Sequence, residues 1–231
     1  MVKGYDDRRT IVPRMRIVTY NFLRAGSLKR CGHWSRVIRR LSPDLVLAQE
    51  CRSPEDSPGE RFRHSRHDAF AWQSTGARGW GTGLFARSAS LIPIAIPEYD
   101  GWVVGGEIQS SSWAPRRFIV FSIHGPAGEL GYIRTMHHIL DRLTRLRDRA
   151  DLVLGGDFNI AVGYRKPGDP IKFLRGERDL LDRLTNEFDL VSCWQAAYPG
   201  RPLAQTLRWM GILARPTIAT AFLCRVHGCR G

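Results

Sequence analysis

The chain has 231 residues, of which 43% are hydrophobic and 25% charged, a composition that excludes a generally disordered chain and fits one globular domain. Its formal net charge is +13 and its pI about 10.3, so we expect polyanionic partners such as nucleic acid, anionic lipid or phosphorylated metabolites. Lysine supplies only four of the 35 basic residues. The arginine fork suits phosphate oxygens, although a genome rich in arginine codons is an equal explanation.

The five cysteines follow no regular spacing, which favours reduced thiols and a cytoplasmic protein over a disulfide framework. Cys224, His227 and Cys229 lack a fourth ligand at the usual zinc spacing, so we assign no metal to them. Residues 1–14 form a charged leader unlike a signal peptide, and no run approaches the roughly 20 apolar residues of a membrane span. We expect a monomeric chain with a single domain over residues 15–231.

The first two predicted strands each end in a polar residue. Residues 15–21 alternate well enough for a strand that ends at Asn21, and residues 45–50 form an apolar strand that ends at Glu50. A helix that Ser27 caps lies between them. A buried carboxylate is costly unless a cation compensates it, which makes Glu50 a candidate site residue. A glutamate that simply reaches solvent is the alternative.

A basic loop follows the second strand and carries Arg61, Arg63 and Arg66. Because this loop continues from the strand end at Glu50, we expect the arginines on the rim of the same pocket, where they would contact substrate phosphate. A solvated run of charge without a partner is the alternative. Beyond the loop, the sequence predicts four short strands, at residues 69–72, 83–86, 91–96 and 103–108.

The strongest local signal is the octapeptide at residues 152–159, an apolar strand that runs through two glycines into Asp157 and Asn159. Residues two apart on a strand point to one side, so Asp157 and Asn159 face one pocket while Phe158 packs the other way. A carboxylate and an amide in this arrangement suit a phosphate, a divalent metal or an attacking water. A strand followed by an Asp/Asn turn is the alternative.

A buried strand at residues 117–123 ends at His124 in a similar way. A helix over residues 132–149 links this strand to the octapeptide, and a further helix over 177–188 precedes a short strand at 190–194. A histidine at a strand end is more often a hydrogen-bonded structural residue than a catalytic one. His124 is nevertheless a candidate, because it repeats a pattern present at three other strand ends.

Taken together, these segments resemble the endonuclease/exonuclease/phosphatase superfamily of metal-dependent phosphoesterases, which have the deoxyribonuclease-I-like fold. The resemblance covers residues 14–216 and rests on the order and spacing of six segments. They are RIVTYN ending at Asn21, LVLAQE ending at Glu50, GTGLFAR at 81–87, VFSIHGP containing His124, LVLGGDFN with Asp157 and Asn159, and a weaker QTLRW at 205–209.

The resemblance implies an α/β fold of four layers, in which two central mixed or antiparallel sheets are flanked by helices and the site lies at the sheet ends. It also implies a hydrolase of phosphoester bonds, a phosphodiesterase or nuclease, that uses Mg²⁺ or Mn²⁺. By the resemblance, Glu50 ligates the metal with help from Asn21, and Asp157 acts on the attacking water. Asn159 and His124 hold the scissile phosphate. The resemblance does not choose among DNA, RNA, lipid and small phosphoester substrates.

The end of the chain departs from the family pattern. Family members finish with an Ile-Asp-Tyr-Ile-Phe-like strand and a Ser-Asp-His segment. In this chain Ala219 or its neighbour stands where the acid is expected, and no Ser-Asp-His occurs before Gly231. The C-terminus is thus divergent or truncated, and we expect that the last strand is lacking and that hydrolysis is impaired. The alternative is a non-catalytic member of the same fold that binds nucleic acid or a phosphate ligand through its arginines.

Overall fold

The structure, a computed structural model, describes residues 15–23, 33–55, 65–76, 79–111, 116–160, 175–201 and 218–224, with the backbone alone described at 110–111 and 218–224. Ten strands in these residues form two sheets. Helices pack on the outer face of each sheet. The described chain is therefore an α/β sandwich of four layers, as the resemblance implied.

Four strands make up the first sheet: β1 (Ile17–Asn21), β2 (Leu45–Cys51), β3 (Ala69–Ser74) and β4 (Gly81–Ala86). They lie in the order β1-β2-β4-β3, in which β1 and β2 are parallel and the other pairs antiparallel. The helix between β1 and β2 is α1 (His33–Leu41), and it packs Trp34 and Val37 against the outer face of this sheet. Its predicted beginning after Ser27 lies outside the described residues.

Six strands make up the second sheet: β5 (Ala89–Ile94), β6 (Val103–Ser111), β7 (Phe118–His124), β8 (Asp151–Ile160), β9 (Val191–Ser192) and β10 (Ile218–Cys224). Their order is β5-β6-β7-β8-β10-β9, and β7–β8 is the parallel pair among them. Both sheets are therefore mixed. The parallel pairs, β1–β2 and β7–β8, carry the predicted site residues at their carboxyl ends.

The outer face of the second sheet is covered by α2 (Gly131–Leu143) and α3 (Arg175–Asp182). Burial drives this packing, because the apolar stripe of α2 meets the outward side chains of β7 and β8 in one cluster. That cluster includes Met136, Ile139, Leu140, Leu143, Leu180, Ile119, Phe121, Leu152, Leu154 and Phe158. None of the described helices combines the length and the apolar character that crossing a membrane requires.

Two predicted elements are shorter in the structure than in the sequence pattern. The long helix predicted before β8 is α-helical only to Leu143 and then tightens into a 3₁₀ turn. The strand predicted over 190–194 is reduced to β9, because the Ser192 hydroxyl accepts a hydrogen bond from the Gln195 N–H and so begins α4 (Cys193–Ala197). Local hydrogen bonds from hydroxyl side chains thus override the apolar pattern at that point.

The two sheets face each other across an apolar core. Alternate residues of β2 point to opposite sides, so Leu45 and Leu47 enter this core while Val46 and Ala48 pack outward. From the second sheet the core receives Val104, Ile108, Phe118, Val120 and Val153. This alternation determines which side chains reach the space between the sheets.

A buried polar bridge ties the sheets together at one end of this core. Gln49 is fully buried, and its Nε2 donates to the Ser122 hydroxyl of β7 at 3.0 Å. Gln49 Oε1 accepts from the Thr19 hydroxyl of β1 at 3.4 Å, and Ser122 donates in turn to the Ala48 carbonyl at 3.3 Å. Because a buried amide is costly unless its hydrogen bonds are made, this bridge fixes the spacing of β1, β2 and β7.

One part of the expected fold is corrected. Residues Ile218–Cys224, at the position of the family's acid-bearing strand, form β10, which pairs with β8 on one side and β9 on the other. An apolar, β-forming sequence is sufficient for backbone pairing and does not need the acid. The expectation that the last strand is lacking does not hold for this segment. Residues 225–231 lie outside the described part of the chain.

The close approach of β7 and β8 gives a first testable prediction. A Cβ added at Gly156, which has φ +150°, would lie 1.9 Å from the Ile123 carbonyl oxygen. Gly156→Ala forces the two strands apart, and we expect it to lower the free energy of unfolding by about 2–3 kcal/mol in urea denaturation.

Gly176→Ala in α3 is the matched control. Its Cβ would meet Ile133 Cγ2 at 3.2 Å, a contact that a small shift relieves, so the change in stability should stay within about 1 kcal/mol. Equal effects of the two substitutions would contradict the close approach of β7 and β8.

Candidate active site

Three of the predicted site residues stand at inward-facing positions of their strands. Asn21 lies two residues beyond Thr19 on β1, and His124 lies two residues beyond Ser122 on β7, so each continues the row that holds the buried bridge. Asp157 of β8 is the register partner of His124. The carboxyl ends of these strands meet at one edge of the sandwich, and the three side chains converge there.

Glu50 reaches the same place through a β-bulge. Ala48 pairs with Gly83 and Cys51 with Gly81, so two residues of β2 stand opposite one residue of β4. Glu50 has φ +49°, and Cys51 returns to the outer side of the sheet with Ala48. Strict alternation would turn Glu50 outward, toward α1. The bulge aims its carboxylate at the site instead, at the expense of a strained backbone.

The Asn21 amide joins the two carboxylates. Its Nδ2 donates to Glu50 Oε1 at 3.2 Å and to Asp157 Oδ2 at 2.8 Å. Its Oδ1 accepts the Leu23 N–H at 2.8 Å. Glu50 and Asp157 come from different sheets and carry like charges, so a shared donor reduces their repulsion. Asn21 turns its donor side toward the acids and its oxygen away from them.

Asp157 is 5% exposed and accepts a second hydrogen bond, from the Asn159 N–H to Oδ1 at 3.1 Å. Burial is the main reason that the pKa of this carboxyl rises from 3.8 to about 6. The hydrogen bonds from Asn21 and Asn159 oppose the rise, and the charge of Glu50 adds to it. A cation near Asp157 would favour its ionised form.

The opposite directions predicted for Phe158 and Asp157 are confirmed. Phe158 is fully buried between the second sheet and its helices, while Asp157 faces the site. Asn159 has φ +52° and donates from Nδ2 to the Gly125 carbonyl at 3.0 Å. This bond fixes the Asn159 side chain against the turn that follows β7.

His124 is enclosed by two tryptophans that the sequence did not single out. The ring centroids of Trp102 and Trp80 lie 5.0 Å and 5.6 Å from that of the imidazole, and the His124 N–H donates to the Trp102 carbonyl at 2.8 Å. His124 Nε2 lies 3.6 Å from Glu50 Oε1. Both tryptophans lie in connections between strands, where no periodic pattern marks a residue. Only the pairing of β6 with β7 brings Trp102 to His124.

Glu50, His124 and Asp157 form a group that could hold a divalent metal ion. Each offers one ligand atom, and the three atoms lie within 4.8 Å of one another. Carboxylate oxygens suit Mg²⁺ and Mn²⁺, and imidazole suits transition-metal ions. A cation would also compensate the two neighbouring carboxylates. The residues present therefore fit a divalent metal, as the resemblance implied.

The arginines expected on the rim are not all at the site. Arg66 lies just before β3, and the pairing of β3 with β4 and of β4 with β2 places this end beside Leu45, at the amino end of β2. Glu50 is at the other end of β2, roughly 16 Å away at about 3.3 Å per residue. By Arg66 the chain has therefore crossed to the far end of the sheet, so its placement on the rim is corrected. Arg61 and Arg63 lie outside the described residues.

The strand without the family's acid borders the site. Thr220 pairs with Asp157 and Ile218 with Ile160, with an irregularity between them at Ala219. The position where the resemblance expects an acid is thus beside Asp157 in register. The sequence of β10, Ile-Ala-Thr-Ala-Phe-Leu-Cys, brings no carboxylate to this edge.

Comparisons with known proteins bear on the fold. No protein-family model and no curated protein matches the chain. Among solved structures, the endonuclease domain of TRAS1, a telomere-specific non-LTR retrotransposon, is similar over 92% of this chain and 85% of its own, with 16% identity and a TM-score of 0.57. A functionally unknown conserved protein from Enterococcus faecalis V583 is similar over 91% of this chain and 87% of its own, with 15% identity and a TM-score of 0.59.

The two mixed sheets, the order of the motifs and these likenesses agree on one class. The chain has the deoxyribonuclease-I-like fold, in agreement with its resemblance to the endonuclease/exonuclease/phosphatase superfamily. At identities of 15% and 16%, the solved structures establish the fold alone. The reaction has to be argued from the site residues.

The bulge predicts an order of stability between two substitutions. Glu50→Gly and Glu50→Ala both remove the carboxylate, but alanine keeps the Cβ that disfavours φ +49°. We expect Glu50→Gly to be more stable than Glu50→Ala by about 1 kcal/mol in urea denaturation with chelator present. At Gln73 in β3, which has no positive φ, the same pair should show the reverse order. If Glu50→Ala proved more stable than Glu50→Gly, the positive φ at Glu50, and with it the bulge, would be refuted.

The raised pKa of Asp157 predicts a pH-dependent stability. Between about pH 4 and pH 6 the unfolded chain releases this proton while the folded chain keeps it, so this carboxyl lowers the free energy of unfolding as pH rises through that window. Asp157→Asn removes the effect. In chelator, the stability of Asp157→Asn relative to wild type should rise by up to about 3 kcal/mol from about pH 4 to about pH 7.

Urea denaturation across this pH range measures the difference. Asp148→Asn, at a side chain that is 76% exposed, is the matched control and should track wild type. A difference between Asp157→Asn and wild type that stays constant with pH would show that burial does not raise the pKa of Asp157.

Proposed function

We propose that the protein is a divalent-metal-dependent hydrolase of phosphodiester bonds in nucleic acid, with Mg²⁺ or Mn²⁺ as the cofactor. The observation that carries the proposal is the convergence of Glu50 and Asp157, from opposite sheets, on the Asn21 amide with His124 beside them. Two carboxylates and an imidazole in one corner suit a cation and a phosphoryl group. The net charge of +13 suits a polyanionic substrate.

Glu50 and Asp157 would have different roles, one at the cation and the other at the attacking water. Glu50 would hold the cation. When bound, the cation supplies positive charge that offsets the negative charge of the phosphoryl oxygens. Asp157 would accept a proton from the attacking water or orient that water. Both of its oxygens are fixed by donors, Asn21 Nδ2 and the Asn159 N–H. These two donors hold the carboxylate in one orientation, and a neighbouring cation would keep it ionised and able to accept a hydrogen bond from water.

Asn159 would hold the scissile phosphate. Its Nδ2 carries two hydrogens and gives one to the Gly125 carbonyl, so the other is available to a phosphoryl oxygen. His124 would act at the same phosphate or at the cation, and the 3.6 Å distance from its Nε2 to Glu50 Oε1 supports this proposal. Buried donors at fixed positions stabilise developing charge more than mobile ones do.

Nucleic acid is the substrate class that the comparisons favour, because the TRAS1 domain that shares the fold is an endonuclease. We place the protein in the cytoplasm as a monomer with one domain over residues 15–231. The irregular spacing of the five cysteines in the sequence supports a reducing compartment.

A non-catalytic nucleic-acid-binding protein is the second candidate. One observation favours it: Thr220 pairs with Asp157, and neither Ala219 nor its neighbours supply the acid that the resemblance expects there. Loss of a group that orients or stabilises charge typically slows such reactions by about 10²- to 10³-fold. We therefore expect slow turnover, and its complete absence together with salt-sensitive DNA binding would favour the second candidate.

The proposed function predicts metal-dependent nicking of plasmid DNA and cleavage of single-stranded DNA or RNA oligonucleotides. Asp157→Asn and Glu50→Gln should each lower the rate by at least about 10²-fold, because each removes a group that acts on water or on the cation. Gel assays with Mg²⁺, with Mn²⁺ and with chelator measure the rates.

Glu98→Gln is the control, since Glu98 is 52% exposed and pairs with Arg142 on the surface. It should cleave at the wild-type rate. Cleavage that continues in chelator, or that Asp157→Asn leaves intact, would falsify the proposed hydrolase.

A further inference from the structure

We propose that His124 is a direct ligand of the divalent cation, together with Glu50 and Asp157, and that Asn21 orients the two carboxylates without binding the ion. A site with an imidazole ligand selects a first-row transition-metal ion such as Mn²⁺ over Mg²⁺. The inference rests on the proposed function for the presence of a cation, and it departs from the ligand pair Glu50 and Asn21 that the resemblance implies.

The orientation of Asn21 is the first step. Its Oδ1 is occupied by the Leu23 N–H at 2.8 Å, while Nδ2 faces Glu50 and Asp157. An amide nitrogen is a donor only and does not bind a cation. Turning the amide over would set Oδ1 against two carboxylate oxygens and Nδ2 against a backbone N–H. The hydrogen-bond network therefore fixes the observed orientation, and it removes Asn21 from the ligand set.

The spacing of the remaining groups is the second step. Ligand atoms around an ion at about 2.1 Å lie between about 3.0 Å and 4.2 Å apart, according to the angle that they subtend. His124 Nε2 and Glu50 Oε1 are 3.6 Å apart, inside that interval. The Asp157 ligand atom completes a set within 4.8 Å, which a small side-chain movement would close around an ion.

The support of His124 is the third step. Trp80 and Trp102 pack against its ring, with centroids at 5.6 Å and 5.0 Å, and its backbone N–H is bonded to Trp102. The His124 side chain is 7% exposed. The ring is therefore held in one orientation, with Nε2 toward the carboxylates. Ligands whose orientation is fixed by their neighbours raise metal affinity.

The choice of ion follows from the donor set. Mg²⁺ favours oxygen ligands in a strict octahedron and keeps several waters. Imidazole nitrogen suits first-row transition-metal ions better than it suits Mg²⁺, and Mn²⁺ is the member of that series that also accepts carboxylate oxygens readily. Replacing an amide oxygen by an imidazole nitrogen in the ligand set therefore shifts the preference from Mg²⁺ toward Mn²⁺.

Mn²⁺ itself is the probe, used on the full chain without substrate. Titration followed by the electron paramagnetic resonance of free Mn²⁺, with Mg²⁺ as competitor, gives both dissociation constants. His124→Phe keeps an aromatic ring between the tryptophans and removes the nitrogen. We expect it to weaken Mn²⁺ binding by at least about 10-fold and Mg²⁺ binding by less than about 3-fold. Asn21→Ala should weaken both ions by a similar factor.

A spectroscopic readout separates a ligand from a neighbour. Mn²⁺ bound to protein labelled with ¹⁵N-histidine should show the hyperfine coupling of a directly bound nitrogen, and His124→Phe should abolish it. Should His124→Phe fail to fold in chelator, His124→Gln tests the same point, because it offers oxygen or NH₂ where Nε2 was and should also abolish the coupling.

The outcomes distinguish the two proposals. Binding of Mn²⁺ without nitrogen coupling, or an unchanged ratio of the two dissociation constants in His124→Phe, overturns the ligand role of His124 and leaves the hydrolase proposal standing. Failure to bind either ion at millimolar concentration overturns both. Nitrogen coupling without any cleavage of nucleic acid confirms the ligand and counts against the hydrolase.

Discussion

The structure depends on holding two carboxylates of like charge, Glu50 and Asp157, in one corner between two sheets. The two carboxylates lie on different sheets, so the distance between them depends on the contacts that hold the sheets together. The Gln49 amide does this directly behind the site, through its hydrogen bonds to Thr19 and Ser122. Asn21 then spans the carboxylates themselves. The amides of Gln49 and Asn21 therefore set the distance between the two carboxylates, the first by joining the sheets and the second by joining the carboxylates.

Much of this arrangement follows from sequence pattern alone. The alternation of β8 correctly separates Phe158 from Asp157, and the recurrence of polar residues at apolar strand ends points to a common edge. The four-layer fold came from the resemblance that the order of the motifs carries. Strand periodicity is a local property, and it transfers from sequence to structure wherever the strand is regular.

Predictions from the sequence fail where strand alternation is interrupted or where strands distant in sequence pair with each other. Regular alternation would place the Glu50 side chain on the outer face of the sheet. The β-bulge turns it inward instead, and no residue type in the sequence predicts that bulge. Arg66 follows Glu50 in sequence, but a returning strand carries it to the opposite end of the sheet. Trp102 reaches His124 through the pairing of β6 and β7. Each of these depends on backbone pairing between segments, which a single sequence does not record.

The position of β10 has a consequence for the way in which the chain is made. This strand lies between β8 and β9, although its residues follow both in sequence. During synthesis, the edge of β8 that pairs with β10 stays open until residues 218–224 have left the ribosome. Until then β9 also lacks the strand with which it pairs in the described part of the chain. An open edge beside a nearly complete sheet is a template for pairing with other nascent chains. Between translation of β8 and translation of β10, this open edge therefore exposes the nascent chain to misassembly.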